Sequence, residues 1–334
     1  MTTSLSQLPA VDDPSIGFRL WTGLGEVPGM AAANNRLRIH TGILEPIDID
    51  GMTHRYTHLV NSDPLEDCVV ATKSGRTVGY GRVEWHDLVD GDRIYDHTVL
   101  VEPSAWGRGI ARALNGWCER RSREIAFGNP TDRRTWMAQF AFDGDTELEH
   151  AIRDAGYVAV RWDAELLRPS LEQIPDAALA DGYEIRTPTE AELPAVFAMT
   201  VEAFAEHWGQ FEAGEQRFDE WIENPAFRLD QLVIAWKGGV PVAMVHGELE
   251  TRPDGSTSGL LAGVCTHPAH RRRGLARACI VESLRRLRAA GATSAYLGVD
   301  TDNQNRAYTL YESCGFRIAT SSANYRKPFI PEAT

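Results

Sequence analysis

Three consecutive arginines precede a glycine in the second half of the chain, between a strand pattern and a helix pattern. The stretch Arg271–Ala276 reads RRRGLA, follows the apolar run Leu260–Cys265 and opens a segment whose apolar residues recur at helical spacing. A glycine at such a turn lets the backbone pass close to a ligand, while the first unpaired amides and the positive end of the helix dipole attract an anion. The turn therefore predicts a phosphate or pyrophosphate site, although arginine runs by themselves are more often solvated surface.

A second copy of this turn lies 165 positions earlier in the chain, which indicates an internal repeat. Residues 101–113 and 266–278 share their proline, glycine, alanine and arginine at equivalent positions. The beginnings and ends of the halves also match, Gly17–Arg19 with Tyr183–Arg186 and Asp154–Tyr157 with Ser313–Phe316. A repeat that covers the whole chain predicts two similar domains.

Two domains also fit the length of the chain and the positions of its prolines. A chain of 334 residues is long for one compact domain and comfortable for two. The stretch 169–181 contains Pro169 and Pro175 and few large apolar residues, as expected for a connector. We therefore predict an N-terminal domain over 1–168, a linker over 169–181 and a C-terminal domain over 182–334.

Each half shows the same order of predicted elements, which alternate between strand and helix patterns. In the second half they are Tyr183–Arg186, Glu190–Ala205, Leu232–Trp236, Val242–Glu250, Leu260–Thr266, a helix from Leu275, Ser294–Val299, a helix from Asn305, and Phe316–Lys327. This order predicts mixed α+β layers in each half.

Composition excludes several classes of protein. With 43% hydrophobic and 24% charged residues the chain is of the ordinary globular type, and its net charge of -13 disfavours a nucleic-acid partner. The first 14 residues lack a signal-peptide pattern, and no apolar run approaches the ~18 residues of a spanning helix. We expect a cytoplasmic protein without a membrane partner. The five cysteines show neither CxxC spacing nor a neighbouring histidine cluster, so we expect no metal.

The turn resembles the acetyl-CoA signature of the GCN5-related N-acetyltransferase (GNAT) family. The stretches Gly298–Asn303 and Ala307–Phe316 are similar to that family's next strand and to its closing helix, turn and strand. The resemblance implies the α+β fold class, with two tandem GNAT-like domains that are each a mostly antiparallel mixed sheet with flanking helices. It also implies an N-acetyltransferase, in which a primary amine attacks the thioester of acetyl-CoA directly.

The resemblance further implies where acetyl-CoA would bind. The strand before the turn offers backbone groups to the pantetheine arm, the turn wraps the pyrophosphate, and an asparagine bonds the cofactor near its thiol end. The implied residues are Val264, Cys265, Thr266, Arg271, Arg272, Arg273, Gly274, Leu275, Ala276, Arg277, and Asn303 or Asn305. The asparagine is left open because Asn303 lies four positions before Ala307, whereas the family usually has three.

Tyr311 matches the tyrosine of the family whose phenol protonates the departing thiolate of coenzyme A. An ordinary phenol pKa near 10 suits a donor to a thiolate whose own pKa is near 8.5. The structural alternative is a core tyrosine that packs against Gly315 and Phe316. Gly315 itself is expected to be the left-handed residue that follows a helix end.

The residue that removes a proton from the incoming ammonium is not fixed by the pattern. Many relatives carry a glutamate on the strand before the turn, but Leu260–Cys265 contains none. The remaining candidates are Glu248, Glu250, His207, His246, Asp300 or a chain of water molecules.

Acidic and aromatic side chains are frequent over 201–227. In a GNAT-like fold this segment would roof the acceptor pocket, and aromatic walls with carboxylates suit a polar cationic acceptor such as an amino sugar or an aminoglycoside. A packed helix pair with the same composition is an equal alternative. We expect substrate contacts at His207, Trp208, Glu248 and Glu250.

The first half lacks the residues that would make it an enzyme. Trp106 stands at the position that matches Arg271, and Ile152 stands at the position that matches Tyr311. We expect a catalytically degenerate domain that completes the active cleft as a scaffold. Phosphate binding at Gly107–Gly109 is left open.

Several functions fit these patterns. In layout the chain resembles the two-domain mycothiol synthases, which acetylate a cysteine-linked amino sugar and keep activity in the C-terminal half, although the missing strand glutamate departs from them. A non-catalytic acyl-CoA-binding module is the alternative of another class. For an enzyme we expect a small-molecule amine as the partner, no nucleic acid, and a monomer or homodimer.

Overall fold

The chain contains two compact units, as seen in a computed structural model that describes residues 7–43, 46–205, 208, 215–251, 255–301 and 307–329. Unit 1 comprises residues 1–162 and 320–334, and unit 2 comprises residues 163–319. None of the helices in these described ranges is long and apolar enough to cross a membrane.

The described residues form twelve strands. They are β1 (Ile16–Leu20), β2 (Cys68–Lys73), β3 (Arg76–Asp87), β4 (Arg93–Val101), β5 (Thr135–Phe142), β6 (Val158–Arg168), β7 (Glu184–Arg186), β8 (Leu232–Lys237), β9 (Val240–Thr251), β10 (Thr257–Thr266), β11 (Ser294–Asp300) and β12 (Arg317–Pro328).

Nine α-helices are found in the same described ranges. They are α1 (Val27–Thr41), α2 (Ile49–Thr57), α3 (Pro64–Asp67), α4 (Ile110–Gly128), α5 (Thr146–Asp154), α6 (Leu193–Phe204), α7 (Glu215–Glu223), α8 (Leu275–Ala289) and α9 (Ala307–Ser313). A 3-10 turn, Pro268–His270, lies between β10 and α8.

Unit 1 is built on a sheet with the strand order β1-β2-β3-β4-β5-β12. Strands β4 and β5 run parallel, and the other neighbours run antiparallel. The last strand of the chain completes this sheet, because Ser322–Pro328 pairs with Trp136–Phe142 of β5.

Unit 2 is built on a sheet with the order β6-β11-β10-β9-β8-β7, to which β6 contributes Asp163–Arg168. Strands β10 and β11 form its parallel pair, and the other pairs are antiparallel. Both units are thus mostly antiparallel mixed sheets with flanking helices, which confirms the predicted fold class.

Helices cover both faces of the unit 2 sheet. On one face α6 packs with Leu193, Val196 and Met199, joined by aromatic residues of α7. On the other face α8 buries the apolar positions that were predicted from helical spacing. They are Leu275, Cys279, Ile280, Leu284 and Leu287.

Local signals set the helix ends close to the site. The capping box of Thr189 and Glu192 leads into α6, with the Thr189 amide donating to the Glu192 carboxylate at 2.8 Å. Gly274 is the N-cap of α8 with φ 78°, and Gly315 follows α9 with φ 87°. Both angles are in the left-handed region that favours glycine, and Gly315 was expected there.

The limits of the compact units differ from those of the predicted domains, because the units follow contacts in space whereas the predicted domains follow the sequence repeat. Residues 163–181, which we assigned to the first domain and the linker, belong to unit 2, where the Leu171 amide donates to the Thr293 carbonyl at 3.0 Å. Residues 320–334 belong to unit 1. The limits 1–168 and 182–334 remain a proposal about the duplicated sequence.

Candidate active site

A cavity of about 800 Å³ in unit 2 opens where its two parallel strands separate. Strand β10 pairs with β11 only over Ser258–Leu260 and Ser294–Tyr296. Beyond that point residues 261–266 of β10 and residues 298–300 of β11 line the cavity. A bulge at Ala262 shifts the register between β10 and β9, which bends β10 locally.

The arginine-glycine turn closes one end of this cavity and has the geometry of an anion site. Arg272 has φ 62° and Gly274 has φ 78°, which direct the chain into α8. The main-chain amides of residues 272–277 find no acceptor among the described residues. Free amides at a helix N-terminus bind phosphate groups. The predicted anion site is therefore geometrically present, and its use remains a proposal.

The arginines of the turn have different surroundings. Arg271 holds the turn in place, since Nε donates to the Thr266 carbonyl and Nη2 to the Ala203 carbonyl, both at 3.2 Å. Arg272 lines the cavity and makes no hydrogen bond or ion pair with the described residues, so its charge is available to a ligand. Arg277 also lines it and donates to the Asp176 carbonyl at 2.6 Å. Arg273 is absent from the described lining.

The other residues implied for the cofactor fall into two groups. Those on β10 and at the start of α8 line the cavity, and they are Val264, Cys265, Thr266, Leu275 and Ala276. The Thr266 hydroxyl oxygen is buried and has no partner in the described chain. Asn303 and Asn305 lie outside the described residues, so the asparagine contact remains a prediction.

Tyr311 lines the cavity from α9, on the side opposite to α6. The residue is 6% exposed, and its ring packs edge-on against Phe316 with centroids 6.2 Å apart. Its hydroxyl has no hydrogen-bond partner in the described part of the chain. Burial raises the pKa of Tyr311 well above its usual value, with smaller contributions from Cys314 and Cys265. The phenol therefore keeps its proton at neutral pH.

Two carboxylates face the same cavity. Asp300, one of the predicted base candidates, lies at the end of β11, and Asp163 is its direct partner on β6. Asp163 was missed at the sequence level because residue 163 was assigned to the first domain. The strand that holds it carries four charged residues, Arg161, Asp163, Glu165 and Arg168, so its charge alone did not single it out.

The remaining acceptor-side candidates lie away from this lining. Glu250 accepts a hydrogen bond from the Tyr296 hydroxyl, and Glu248 lies 3.6 Å from Nδ1 of His246. His246 is buried against the rings of Trp221 and Phe227, and burial lowers its pKa to about 4. All three lie outside the described cavity lining.

Of the two roof residues, only one can be placed. Trp208 is half-buried and is not part of the described lining, whereas His207 lies outside the described residues. Within the described ranges no group of three or more His, Cys, Asp or Glu residues is arranged to hold a metal ion.

The matching turn of unit 1 is filled by the protein's own side chains. Gly107 and Gly109 both have φ 73°, so the backbone repeats the shape of the unit 2 turn. The Gly107 amide, however, donates to the carboxylate of Glu147 at 3.0 Å, and Arg108 is paired with Asp13. A carboxylate thus occupies a position that a phosphate would need.

The parallel pair of unit 1 is longer than that of unit 2, with five paired positions instead of three. Strand β4 pairs with β5 over Arg93–His97 and follows β3 without a register shift. The side chains there form a buried polar network, in which His97 Nε2 contacts the Ser122 hydroxyl at 2.7 Å. Ile152, at the position of Tyr311, is completely buried in the core.

Each unit is a mixed sheet with one parallel pair, and the pair of unit 2 parts beside a turn with free amides. This arrangement is that of a tandem acyltransferase fold. A family model described as "Acetyltransferase (GNAT) family" matches residues 37–130 and again residues 193–316. The chain belongs to this family, and it is an N-acetyltransferase.

Similar sequences include proteins named mycothiol acetyltransferase. The protein from Streptomyces bingchenggensis is 27% identical over 259 residues, which cover 76% of this chain and 78% of that protein. The protein from Nocardiopsis dassonvillei is 28% identical over 286 residues, which cover 78% and 81%.

Solved structures with the same fold include proteins of similar length. A GCN5-related N-acetyltransferase from Sphaerobacter thermophilus superposes with a TM-score of 0.74 at 18% identity and covers 98% of both chains. A tandem GNAT protein from the clavulanic acid biosynthesis pathway superposes with a TM-score of 0.68 at 17% identity and covers 95% of this chain and 100% of that one. These likenesses show the fold.

Proposed function

We propose that unit 2 transfers an acetyl group from acetyl-CoA to a primary amine of a small, polar, cationic molecule such as an amino sugar or an aminoglycoside. The observation that carries this proposal is the cavity that joins a turn with free amides to the hydroxyl of Tyr311. Its volume of about 800 Å³ lies in the range of small-molecule sites.

The cavity residues fit the chemistry of acetyl-CoA. The amides of 272–277 and the Arg272 guanidinium would hold the pyrophosphate, and the backbone of Val264–Thr266 would run along the pantetheine arm. The splay and the bulge at Ala262 support the second contact, since they leave β10 backbone facing the cavity instead of β11. Bound acetyl-CoA supplies the acetyl group as a thioester.

Proton movements are assigned to residues that face the cavity. The amine nitrogen bonds to the acetyl carbon as the carbon-sulfur bond breaks, and the Tyr311 phenol gives its proton to the sulfur that leaves. Asp163 and Asp300 attract the ammonium form of the acceptor and take the proton that the nitrogen loses. His246 and the two glutamates of β9 are less suited, because they do not line the described cavity.

A cysteine-linked amino sugar is the second candidate acceptor. It is favoured by the relatives named mycothiol acetyltransferase, which match this chain over about three quarters of its length at 27–28% identity. Mass spectrometry of the product distinguishes the candidates, since it shows which amine in a mixed library gains an acetyl group.

We propose that unit 1 is a scaffold that does not bind acetyl-CoA. The Glu147 carboxylate on the Gly107 amide and the longer pairing of β4 with β5 support this proposal. One molecule of acetyl-CoA per chain is the expected stoichiometry.

Isothermal titration of acetyl-CoA into the wild type and two matched variants tests both statements. Gly274→Glu places a negative charge in the unit 2 turn, and Gly109→Glu makes the same change in unit 1. A Cβ at Gly274 would meet nothing within 4 Å, and one at Gly109 would meet only Val11 at 3.9 Å. The two φ angles, 78° and 73°, impose a similar strain.

We expect stoichiometric binding to be lost in Gly274→Glu and kept in Gly109→Glu. Loss only in Gly109→Glu would place the cofactor in unit 1 and contradict the proposal. If the wild type does not bind acetyl-CoA, the proposed acetyl transfer by unit 2 has no basis.

A further inference from the structure

A buried arginine holds the turn that follows the helix of Tyr311. Arg168 lies at the end of β6, opposite Ala295 of β11, and is 6% exposed. One arm of its guanidinium donates to the Cys314 carbonyl and the other to the Gln173 carbonyl. No carboxylate forms an ion pair with it in the described ranges, and burial lowers its pKa. A buried charge whose partners are two main-chain oxygens has a specific structural task.

Gly315 leaves room for this guanidinium because it has no side chain. Its φ is 87°, and a Cβ at this position would overlap with Nη1 of Arg168. Glycine is thus needed both for the backbone angle and for the space. The Arg168 guanidinium and the turn at Cys314–Gly315 therefore pack as one unit, which we call the lock.

The lock controls the backbone of Tyr311 directly. The Tyr311 carbonyl accepts from the Cys314 amide at 3.0 Å and from the Phe316 amide at 3.1 Å, so the same turn carries both contacts. Helix α9 has seven residues, Ala307–Ser313, which is too short to be stable without tertiary support. Holding the Cys314 carbonyl therefore fixes the end of the helix that bears the phenol.

Unit 1 contains the same turn without the lock. After α5 the Tyr157 amide donates to the Ile152 carbonyl at 3.1 Å, and Gly156 has φ 85°. A Cβ on Gly156 would meet nothing within 4 Å, so no arginine fills that place. Of the two matching turns, the lock is present in the one whose helix carries a tyrosine.

We infer that Arg168 is a positioning residue for Tyr311: by holding the Cys314 carbonyl it fixes α9, so that the phenol hydroxyl faces the cavity. This inference rests on the proposed role of Tyr311 as the proton donor. Arg168 touches neither the reacting atoms nor the cofactor turn, so its effect is on turnover and not on acetyl-CoA binding.

A double-mutant cycle on the full chain tests the inference, with acetyl-CoA as donor and kanamycin and glucosamine as acceptor probes. We expect Arg168→Gln to lower kcat about tenfold or more and to leave KM for acetyl-CoA within about threefold. Tyr311→Phe is expected to lower kcat about 100-fold. In the Tyr311→Phe background, Arg168→Gln should change kcat by less than about twofold, because coupled residues are non-additive.

Arg288→Gln is the matched control. Arg288 on α8 donates to the carbonyls of Leu171 and Glu172, so it anchors the same connector without touching α9. We expect its kcat to stay within about twofold of the wild type. Amide hydrogen exchange can be measured without an amine substrate. Its rate over residues 311–316 should rise about tenfold or more in Arg168→Gln and stay unchanged in Arg288→Gln.

Two results would overturn the inference. One is an equal loss of kcat from Arg168→Gln in the wild-type and Tyr311→Phe backgrounds. The other is unchanged exchange over residues 311–316. If Tyr311→Phe alone leaves kcat unaltered, the role of the tyrosine in the proposed function fails instead. Should Arg168→Gln not fold, Arg168→Lys, which keeps one donor at the Cys314 carbonyl, enters the same cycle with the same criteria.

Discussion

Two carboxylates placed opposite each other on neighbouring strands repel, and Asp163 and Asp300 are such a pair. Asp300 is 8% exposed, which increases the effect of its charge. Both residues face the cavity, where a cationic ligand would offset the repulsion. This arrangement supports the proposed acceptor, an amine that arrives as an ammonium ion.

Asp163→Asn tests this preference at the level of one side chain. Removing one carboxylate should raise KM for the amine about tenfold, which corresponds to about 1.4 kcal/mol, and leave the affinity for acetyl-CoA unaltered. Steady-state kinetics with the best amine from a library gives the first value and calorimetry the second. Asp176→Asn, at an exposed aspartate paired with Arg285, is the control and should change neither.

His246 makes the stability of unit 2 depend on pH. Burial lowers its pKa to about 4, whereas an unfolded histidine titrates near 6.5. Between these values the unfolded chain binds a proton that the native chain does not, so stability is full above pH 6.5 and falls as the pH approaches 4.

We expect wild-type unfolding free energy to drop from pH 7 to pH 5 by roughly 1–2 kcal/mol more than that of His246→Gln. Urea titrations followed by tryptophan fluorescence measure both proteins. Equal losses in the two would show that His246 is not the titrating group.

Sequence patterns located the turn and Tyr311 because their spacing is local. Asp163 and Arg168 were not found, since both lie in a strand that the repeat assigned to the first half. Arg271 lines the cavity, as expected of a cofactor residue, and it also bonds to main-chain carbonyls, which a run of arginines does not reveal.

At the scale of elements, the two units differ in how their parallel strands part. Residues 258–260 of β10 pair with β11, whereas Arg93–His97 of β4 pairs with β5 over a longer stretch. The bulge at Ala262 occurs on the shorter pair alone, because β4 follows β3 without a shift. The bulge thus accompanies the earlier parting of the parallel strands in unit 2.

Strands β3 and β4 of unit 1 approach each other closely at Gly79. A Cβ there would lie 2.5 Å from the Leu100 carbonyl oxygen, which belongs to the neighbouring strand. At the matching register position unit 2 has Ala243, opposite Thr266. The tight approach is therefore a property of unit 1 and not of the fold.

Gly79→Ala is expected to destabilise unit 1 by about 1–3 kcal/mol, because the added methyl group must push two strands apart. Gly116→Ala is its control: it lies inside α4, where an added Cβ meets only the Arg120 side chain at 3.7 Å. That change should stabilise by about 0.5–1 kcal/mol. Urea unfolding measures both, and a tolerated Gly79→Ala would contradict the packing described for β3 and β4.

The order and type of the elements near the site followed from periodicity, as the predicted strand Phe316–Lys327 and the observed Arg317–Pro328 illustrate. The bulge was not predictable, because strand register is set by pairing partners that a one-dimensional pattern does not name. For the same reason the sheet to which the last strand belongs could not be read from its sequence.

At the scale of the whole molecule, the core of unit 1 includes residues from the far end of the chain. Ala323, Tyr325 and Phe329 are buried with residues of β4 and α4. Lys327 also pairs with Glu119 of α4 at 2.9 Å. Unit 1 is therefore incomplete without the last fifteen residues or so, whatever the limits of the sequence repeat.

Fragments test this composition and the proposed domain limits together. We expect residues 1–168 alone to lack a cooperative unfolding transition, because β5 would expose an unpaired edge and the core would lose Tyr325. The same fragment with residues 320–334 attached through a long glycine-serine linker should unfold cooperatively. Circular dichroism during heating measures both, and cooperative unfolding of 1–168 by itself would support the sequence-based limit.

The origin of β12 also sets an order for folding during synthesis. The ribosome synthesises residues 163–319 of unit 2 before residues 320–328, the part of β12 that unit 1 still needs. The N-terminal unit therefore cannot complete its sheet until residues 322–328 have left the exit tunnel, and the edge of β5 stays open for that time. A chaperone that covers exposed strand edges would have its longest window of action on the N-terminal half of a nascent chain.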